Sequence, residues 1–483
     1  MSPCRRVRAR AECGRPRFQI KPINMTDTTS DKHESSIQEQ FYNSLMVSRE
    51  ISSAQLQSYQ QEVATTYVRY ICERSAWHAE RLKPVLQGEK TDFSRWQDVP
   101  ILSKGELLDE YHRWRIDDIP TSHGRILLTE SSSSTGISVA LPKTQMTSTA
   151  TACASFRHVA AFGLEYARPL VMLRSLNPML GRHRSHDVES TQSASQPDLS
   201  RWGPTWIDEK QRGPRHHIHV SLPCDQILDR LDEIGKQSGG CYLNTSPSKA
   251  LELADYVRRN GRASPPLMAI LSVGEVATPS LRHEVKTHLG CNMIDIYATA
   301  ETGPIAMQCP ESGLYHVQSE LALVELLSGT GKPARPGETG RVVVTPLYNL
   351  AMPLIRFDTG DLAIAGTACK CGSPHPVITS IVGRAGSQLR SKNGTAVRFL
   401  PDFESMRKHL GQCRWRLRQT HDGCAELQYM QTPDGEHIDE QGAIRLVRSL
   451  CSDPGLEKVN LREIDVLGLT GGGKFEVAQR TVR

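Results

Sequence analysis

No run of about 18 apolar residues occurs anywhere in the 483-residue chain, and its mean hydropathy is −0.41. Both facts exclude a hydrophobic membrane-spanning helix, so no membrane partner is expected. Acidic and basic excess are also nearly absent. The formal charge is +5, and the first 24 residues carry seven bases against one acid, which leaves the remainder one unit negative. A near-neutral body has no broad electrostatic footprint for nucleic acid. The first 24 residues lack the apolar core of a secretory signal, and Pro3, Gly14, Pro16 and Pro22 break any amphipathic helix there. That basic stretch reads as a disordered tail, or as sequence upstream of a true start at Met25. The polar residues 25–36 continue it. Thirteen cysteines scattered through so long a chain do not form a secreted disulfide scaffold. A reducing, cytoplasmic setting is expected. No internal repeat is visible.

What is present is an alternation of helix and strand patterns. Residues 37–86 carry apolar side chains at helical spacing. In the stretch 98–111, DVPILSKGELLDEY, Ser103 and Glu106 form a capping box that opens a helix. RILLTE (125–130) reads as a strand entering a serine-rich turn. Residues 181–217 are polar and poor in aliphatics, which predicts a long surface loop or insertion, and His216, His217 and His219 read there as surface polar sequence. Beyond them, helices at 226–236 and 249–260 alternate with strands at 267–275 and 292–301, which implies βαβ units and a mostly parallel sheet. Short strands between 320 and 365 suggest a β-rich subdomain, and the last hundred residues a small α+β domain. The fold class expected is therefore α/β. It comprises a tail over 1–36, a large domain with mixed and parallel sheets over 37–385, and a small α+β domain over 386–483.

Five segments could carry chemistry. The run Ser131, Ser132, Ser133, Ser134, Thr135, Gly136 could offer backbone N–H groups and hydroxyls to phosphate, or be a flexible polar linker. In IDIYATAETGP (294–304), Tyr297 offers a ring face and Glu301 a carboxylate suited to a hard cation such as Mg²⁺, or an exposed acid after an edge strand. Asp361, in a TGD turn, could accept from ribose hydroxyls. Arg384 lies between glycines in VGRAG and could pair with ribose or phosphate, while Gly383 and Gly386 could form a hinge. Lys474 follows three glycines near the C-terminal end, where a mobile ammonium could reach an anionic transition state.

The order of these five elements resembles the acyl-adenylating (AMP-binding) superfamily. ATTYVRYICERSAWHAERL, DVPILSKGELLDEY, SVGEVATPSLRHEV, GLYHV and CKCGSPHPVITSIVGR resemble its phenylacetate–CoA ligase branch, from about residue 38 onward. The resemblance implies ATP with Mg²⁺, a carboxylic-acid substrate, and CoA or a carrier-protein phosphopantetheine thiol as acceptor. It makes residues 131–136 the phosphate loop and sets Tyr297 against adenine, Glu301 on Mg²⁺, and Asp361 and Arg384 at the ribose. Lys474 would bridge the carboxylate and the α-phosphate, on a C-terminal domain that rotates between the two half-reactions. An aryl or small acid is implied, with an amine acceptor or a degenerate nucleotide-binding scaffold as alternatives. Dimers are common in that branch. Three departures stand out: Ser133 replaces the first loop glycine, Ile137 and Ser138 replace a Lys-Pro pair, and Gly386 replaces a hinge aspartate. Some members of the branch also place a zinc site beside the acyl pocket, which implies Cys309, His316, Cys369 and Cys371 as structural Zn²⁺ ligands here.

Overall fold

Capping signals set the helix boundaries in the computed structural model. It describes residues 31–131, 139–174, 197–384, 389–397, 399, 402–411, 413–430, 438–452, 455–464 and 478–480. Helix α1 (Asp31–Val47) begins inside the stretch expected to continue the polar tail. Helix α2 (Ser53–Arg74) opens on a capping box at Ser52 and Gln55, and α3 (Ala76–Leu82) follows a turn at Ser75. The box expected at Ser103 and Glu106 is present and starts α4 (Lys104–Trp114). Its two reciprocal bonds satisfy N–H groups that a helix start otherwise leaves unpaired.

A hairpin of β1 (Ile126–Ser131) and β2 (Val139–Thr144) then leads into α5 (Gln145–Ala161). The central sheet follows. Its parallel half is built from β3 (Leu170–Arg174), β5 (Pro214–His219), β6 (Cys241–Thr245), β7 (Leu267–Val273) and β8 (Asn292–Thr299), with β4 (Pro197–Arg201) as an antiparallel edge. The connecting helices α6 (Cys224–Ser238), α7 (Pro247–Arg259) and α8 (Pro279–Leu289) match the periodicity of the sequence. They cover one face, where Val171, Leu243 and Ile270 are fully buried. The other face packs under α5.

One expectation fails here. Part of the polar stretch 181–217 forms the strands β4 and β5, so His216, His217 and His219 are sheet residues and not loop surface. Only Ile218 of β5 is buried, which leaves little hydrophobic pattern to read. Ladders to β3 and β4 on either side hold the strand in place.

The antiparallel half continues through β9 (Gly303–Gln308), β10 (Tyr315–Val317), β11 (Ala322–Leu327), β12 (Thr339–Pro346), β13 (Phe357–Ala365) and β14 (Val377–Arg384). All twelve strands form one sheet in the order β11-β12-β13-β14-β10-β9-β8-β7-β6-β3-β5-β4. The antiparallel end curls on itself: Tyr297, Ile305, Tyr315, Val342, Val344, Ala363 and Ile378, drawn from six strands, share one buried cluster. The C-terminal residues add α9 (Phe403–Leu410), β15 (Arg414–His421), β16 (Cys424–Met430), α10 (Glu440–Ser449), β17 (Lys458–Glu463) and β18 (Ala478–Arg480). Their four-stranded sheet has its own core, including Met406, Leu417, Leu427 and Val447. An ion pair between Arg407 of α9 and the buried Glu284 of α8 links the two cores.

Candidate active site and metal centre

The curl of the sheet creates the candidate nucleotide site. Strands β8 and β13 stand four places apart in the sheet order. On a flat sheet that separation would be roughly 19 Å. Instead the Tyr297 hydroxyl donates to Asp361 Oδ2 at 2.9 Å. Asp361 and Arg384 are direct partners across β13 and β14, and Arg384 Nε lies 3.1 Å from Asp361 Oδ1. Arg384 Nη1 also donates to the Thr359 carbonyl at 2.8 Å. The turn is tight: Gly360 has φ of +74°, and its N–H donates to Asp358 Oδ1 at 2.9 Å. That backbone conformation favours glycine. Three of the residues singled out in the sequence thus form one hydrogen-bonded chain. Burial pushes the Tyr297 hydroxyl well above its ordinary range, and the Asp361 charge adds to this, so Tyr297 stays a donor.

Glu301 lies in the turn after β8, buried, and Lys104 Nζ donates to its Oε1 at 3.1 Å. Burial alone would raise the Glu301 pKa. The charge and hydrogen bond of Lys104, a backbone hydrogen bond and the Arg384 charge outweigh it and hold the carboxyl below its usual range. Glu301 is therefore an anion at neutral pH, as a Mg²⁺ ligand must be. Lys104 is the residue sequence reasoning left without a role. Its signal was the capping box, which fixes Lys104 as the first residue of α4. The backbone around it is pinned by Arg356, which donates to the Gln97 and Val99 carbonyls and pairs with Glu325 through two N–H groups at 2.9 and 2.8 Å. Lys143 of β2 is a second cation facing this region; burial lowers its pKa and the Glu301 charge opposes the shift.

Ser131 ends β1 opposite Val139, so the described strands bring the two ends of the serine-rich loop together. Ser132, Ser133, Ser134, Thr135, Gly136, Gly386 and Lys474 lie outside the described residues.

The second cluster joins two hairpins. Cys309 follows β9, His316 lies in β10, and Cys369 and Cys371 lie between β13 and β14. Their ligand atoms all fall within 4.8 Å of one another. A tetrahedral Zn²⁺ with Zn–S near 2.3 Å and Zn–N near 2.05 Å implies S···S edges of about 3.8 Å and S···N edges of about 3.5 Å. Cys309 and Cys369 Sγ are 3.8 Å apart, and Cys371 Sγ is 3.5 Å from His316 Nε2. Three thiols and one imidazole at these distances suit a tetrahedral divalent ion with soft ligands.

No protein-family profile matches the chain. Over 154 residues it is 33% identical to the phenylacetate–coenzyme A ligase of Thermus thermophilus, covering 30% of this chain and 35% of that protein. Over 157 residues it is 32% identical to the Pseudomonas putida enzyme of the same name, with 30% and 34% covered. The matched stretch thus spans about a third of these curated relatives. Among solved structures, 2-hydroxyisobutyryl-CoA ligase in its postadenylation state, in complex with an acyl-AMP, superposes with a TM-score of 0.65 at 16% identity, covering 89% of both chains. The same ligase in its thioesterification state gives 0.54 at 15% identity, over 89% of this chain and 91% of that one. The chain therefore has the fold of the 2-hydroxyisobutyryl-CoA ligase, and over three tenths of its length its sequence is similar to that of phenylacetate–CoA ligases.

Proposed function

We propose that the chain is an ATP-dependent acid–thiol ligase, which adenylates an aryl or small carboxylic acid and passes the acyl group to CoA or to a carrier-protein thiol. The observation that carries this reading is the Tyr297–Asp361–Arg384 chain beside the Lys104–Glu301 pair. Those groups meet a nucleoside at one end and a metal-bound phosphate at the other. Asp361 accepts from the ribose hydroxyls, Arg384 holds that carboxylate in place, and Tyr297 lies against adenine. Residues 131–136 receive the phosphates. Glu301 holds Mg²⁺, which when bound offsets the charge of the phosphate oxygens.

In the first half-reaction an acid carboxylate oxygen bonds to the α-phosphorus and the bond to the β-phosphate bridging oxygen breaks, releasing pyrophosphate. The attacking group is already an anion, so the site needs positioning and charge stabilisation and no general base. Lys474 supplies positive charge between the carboxylate and the α-phosphate. In the second half a thiol, losing its proton, replaces AMP at the acyl carbon. The domain over 386–483 turns against the domain over 37–385 between the halves and carries Lys474 away. Cys309, His316, Cys369 and Cys371 hold Zn²⁺ as a structural tie. A cytoplasmic homodimer fits this reading.

ATP–pyrophosphate exchange over a library of carboxylic acids tests the proposal. A cognate acid should support exchange, and Lys474→Ala should cut exchange steeply while sparing thioester formation from supplied acyl-AMP. Nucleotide binding with no exchange for any acid would leave a nucleotide-binding scaffold instead.

A further inference from the structure

The carboxyl end of the parallel half carries a group of hydrogen-bond donors that the adenylation chemistry above does not use. Strand β3 leads outward to β4 and β5, whereas its neighbour β6 leads the other way to β7 and β8. The carboxyl ends of β3 and β6 therefore flank a topological switch point, where open α/β sheets bind their ligands. Arg174 is the last residue of β3. Its Nη2 donates to Asn244 Oδ1 of β6 at 3.2 Å. With its oxygen accepting from Arg174, the Asn244 side chain offers its amide N–H groups as further donors. On the other side His219 of β5 is the direct register partner of Arg174. His219 Nδ1 lies 2.6 Å from the Ser221 hydroxyl and 3.3 Å from its backbone N–H, which leaves Nε2 for another partner.

Charge sharpens the picture. Among the described residues no carboxylate pairs with Arg174, which donates to Asn244. Arg215 lies toward the other end of β5, opposite Leu170 of β3 and Asp198 of β4. The Arg174 guanidinium beside an amide and an imidazole suits an acceptor-only ligand, and the planar guanidinium fork matches a carboxylate. The same edge of the sheet carries Glu301 just beyond β8, three strands from β3. That is a spacing of about 14 Å, within which an acid and its reacting phosphate can lie.

We propose that the acid adenylated here is a dicarboxylic acid, whose second carboxylate is held by Arg174, Asn244 and His219 at the β3–β6 switch point. This rests on the acid-activating reading above. Arg174 is a specificity-determining residue in it and takes no part in bond making.

The test is ATP–pyrophosphate exchange by the full chain with matched acid pairs: carboxyphenylacetic against phenylacetic acid, and glutaric against pentanoic acid. At least one diacid should exceed its monoacid tenfold or more in kcat/KM. Arg174→Met should lower that ratio at least tenfold, and Arg174→Lys should restore part of it. Equal use of diacid and monoacid by the wild type, or a ratio unmoved in Arg174→Met, would overturn the proposal. So would an effect of Arg174→Met confined to the KM of CoA and abolished with dephospho-CoA, because the anion would then be a CoA phosphate. If no acid of either kind supports exchange, the ligase reading fails on its own. Calorimetric titration of glutarate and pentanoate into the full chain then decides the anion site. Glutarate binding that is lost in Arg174→Met upholds it, and no selective binding refutes it.

Discussion

Glu320→Gln should destabilise the large domain by about 3 kcal/mol at neutral pH. Glu320 and Arg157 are both buried and form an ion pair in which Arg157 Nη1 lies 2.5 Å from Glu320 Oε1. Ser48, just beyond α1, also donates to Glu320, and His375 Nε2 stands 3.5 Å from it. One carboxylate thus ties α1, α5 and the loop before β14 together. Burial alone would raise its pKa, but Arg157, His375 and Ser48 overcome that and hold it at about 2, against an ordinary 4.5. A lowering of roughly 2.5 units corresponds to about 3 kcal/mol that is present above pH 5 and lost as pH falls toward 2. Removing one partner of a buried ion pair costs about 3–5 kcal/mol by an independent route, which agrees. Chemical denaturation followed by tryptophan fluorescence reads this domain, since five of the six tryptophans precede residue 385. The gap between wild type and Glu320→Gln should shrink by about 1 kcal/mol between pH 7 and pH 3.5. A gap under about 1 kcal/mol at pH 7, or one that is flat with pH, would refute the assignment.

Cys371→Ser should lower zinc in protein purified without added metal from about one equivalent to well below it, as measured by elemental analysis. Wild-type protein without zinc would refute the ligand set. Asp361→Asn should raise the KM for ATP about tenfold or more and narrow the discrimination between ATP and 2′-deoxy-ATP, because in the proposed mode the lost acceptor serves the ribose. An unchanged nucleotide KM would remove Asp361 from the ribose. Arg356→Ala leaves Glu325 without its buried partner and should cost about 3–5 kcal/mol in denaturant unfolding. A loss below about 1 kcal/mol would show that the bidentate pair contributes little.

Local signals were legible where one segment carries its own physics. The helices of the parallel half, the capping box at Ser103 and the strands entering Tyr297 and Asp361 all follow from periodicity and turn chemistry. Strand β5 was not legible, because only Ile218 of PRHHIH is buried and its position is set by neighbouring strands. Contacts over long separations were equally hidden. Lys104 meets Glu301 across 197 positions, and Tyr297 meets Asp361 across 64, through a curl in the sheet that no local pattern encodes. The positive φ of Arg356, 49°, is likewise invisible in PLIRF. The four zinc-type ligands could be named from a resemblance, but their mutual approach depends on β10 pairing with β14.

The Lys104–Glu301 pair neutralises its own charge within the large domain. Under the proposed function an Mg²⁺–nucleotide would compete with an ammonium already seated on that carboxylate. The displaced ammonium belongs to the first residue of α4, and the same helix ends at Trp114, stacked 5.4 Å from Trp77 in a fully buried position. On that reading, the helix that carries the ammonium ends about 15 Å away along its axis, at this indole. If nucleotide is bound as proposed, the Trp77–Trp114 pair should report its arrival through intrinsic fluorescence, with no label attached.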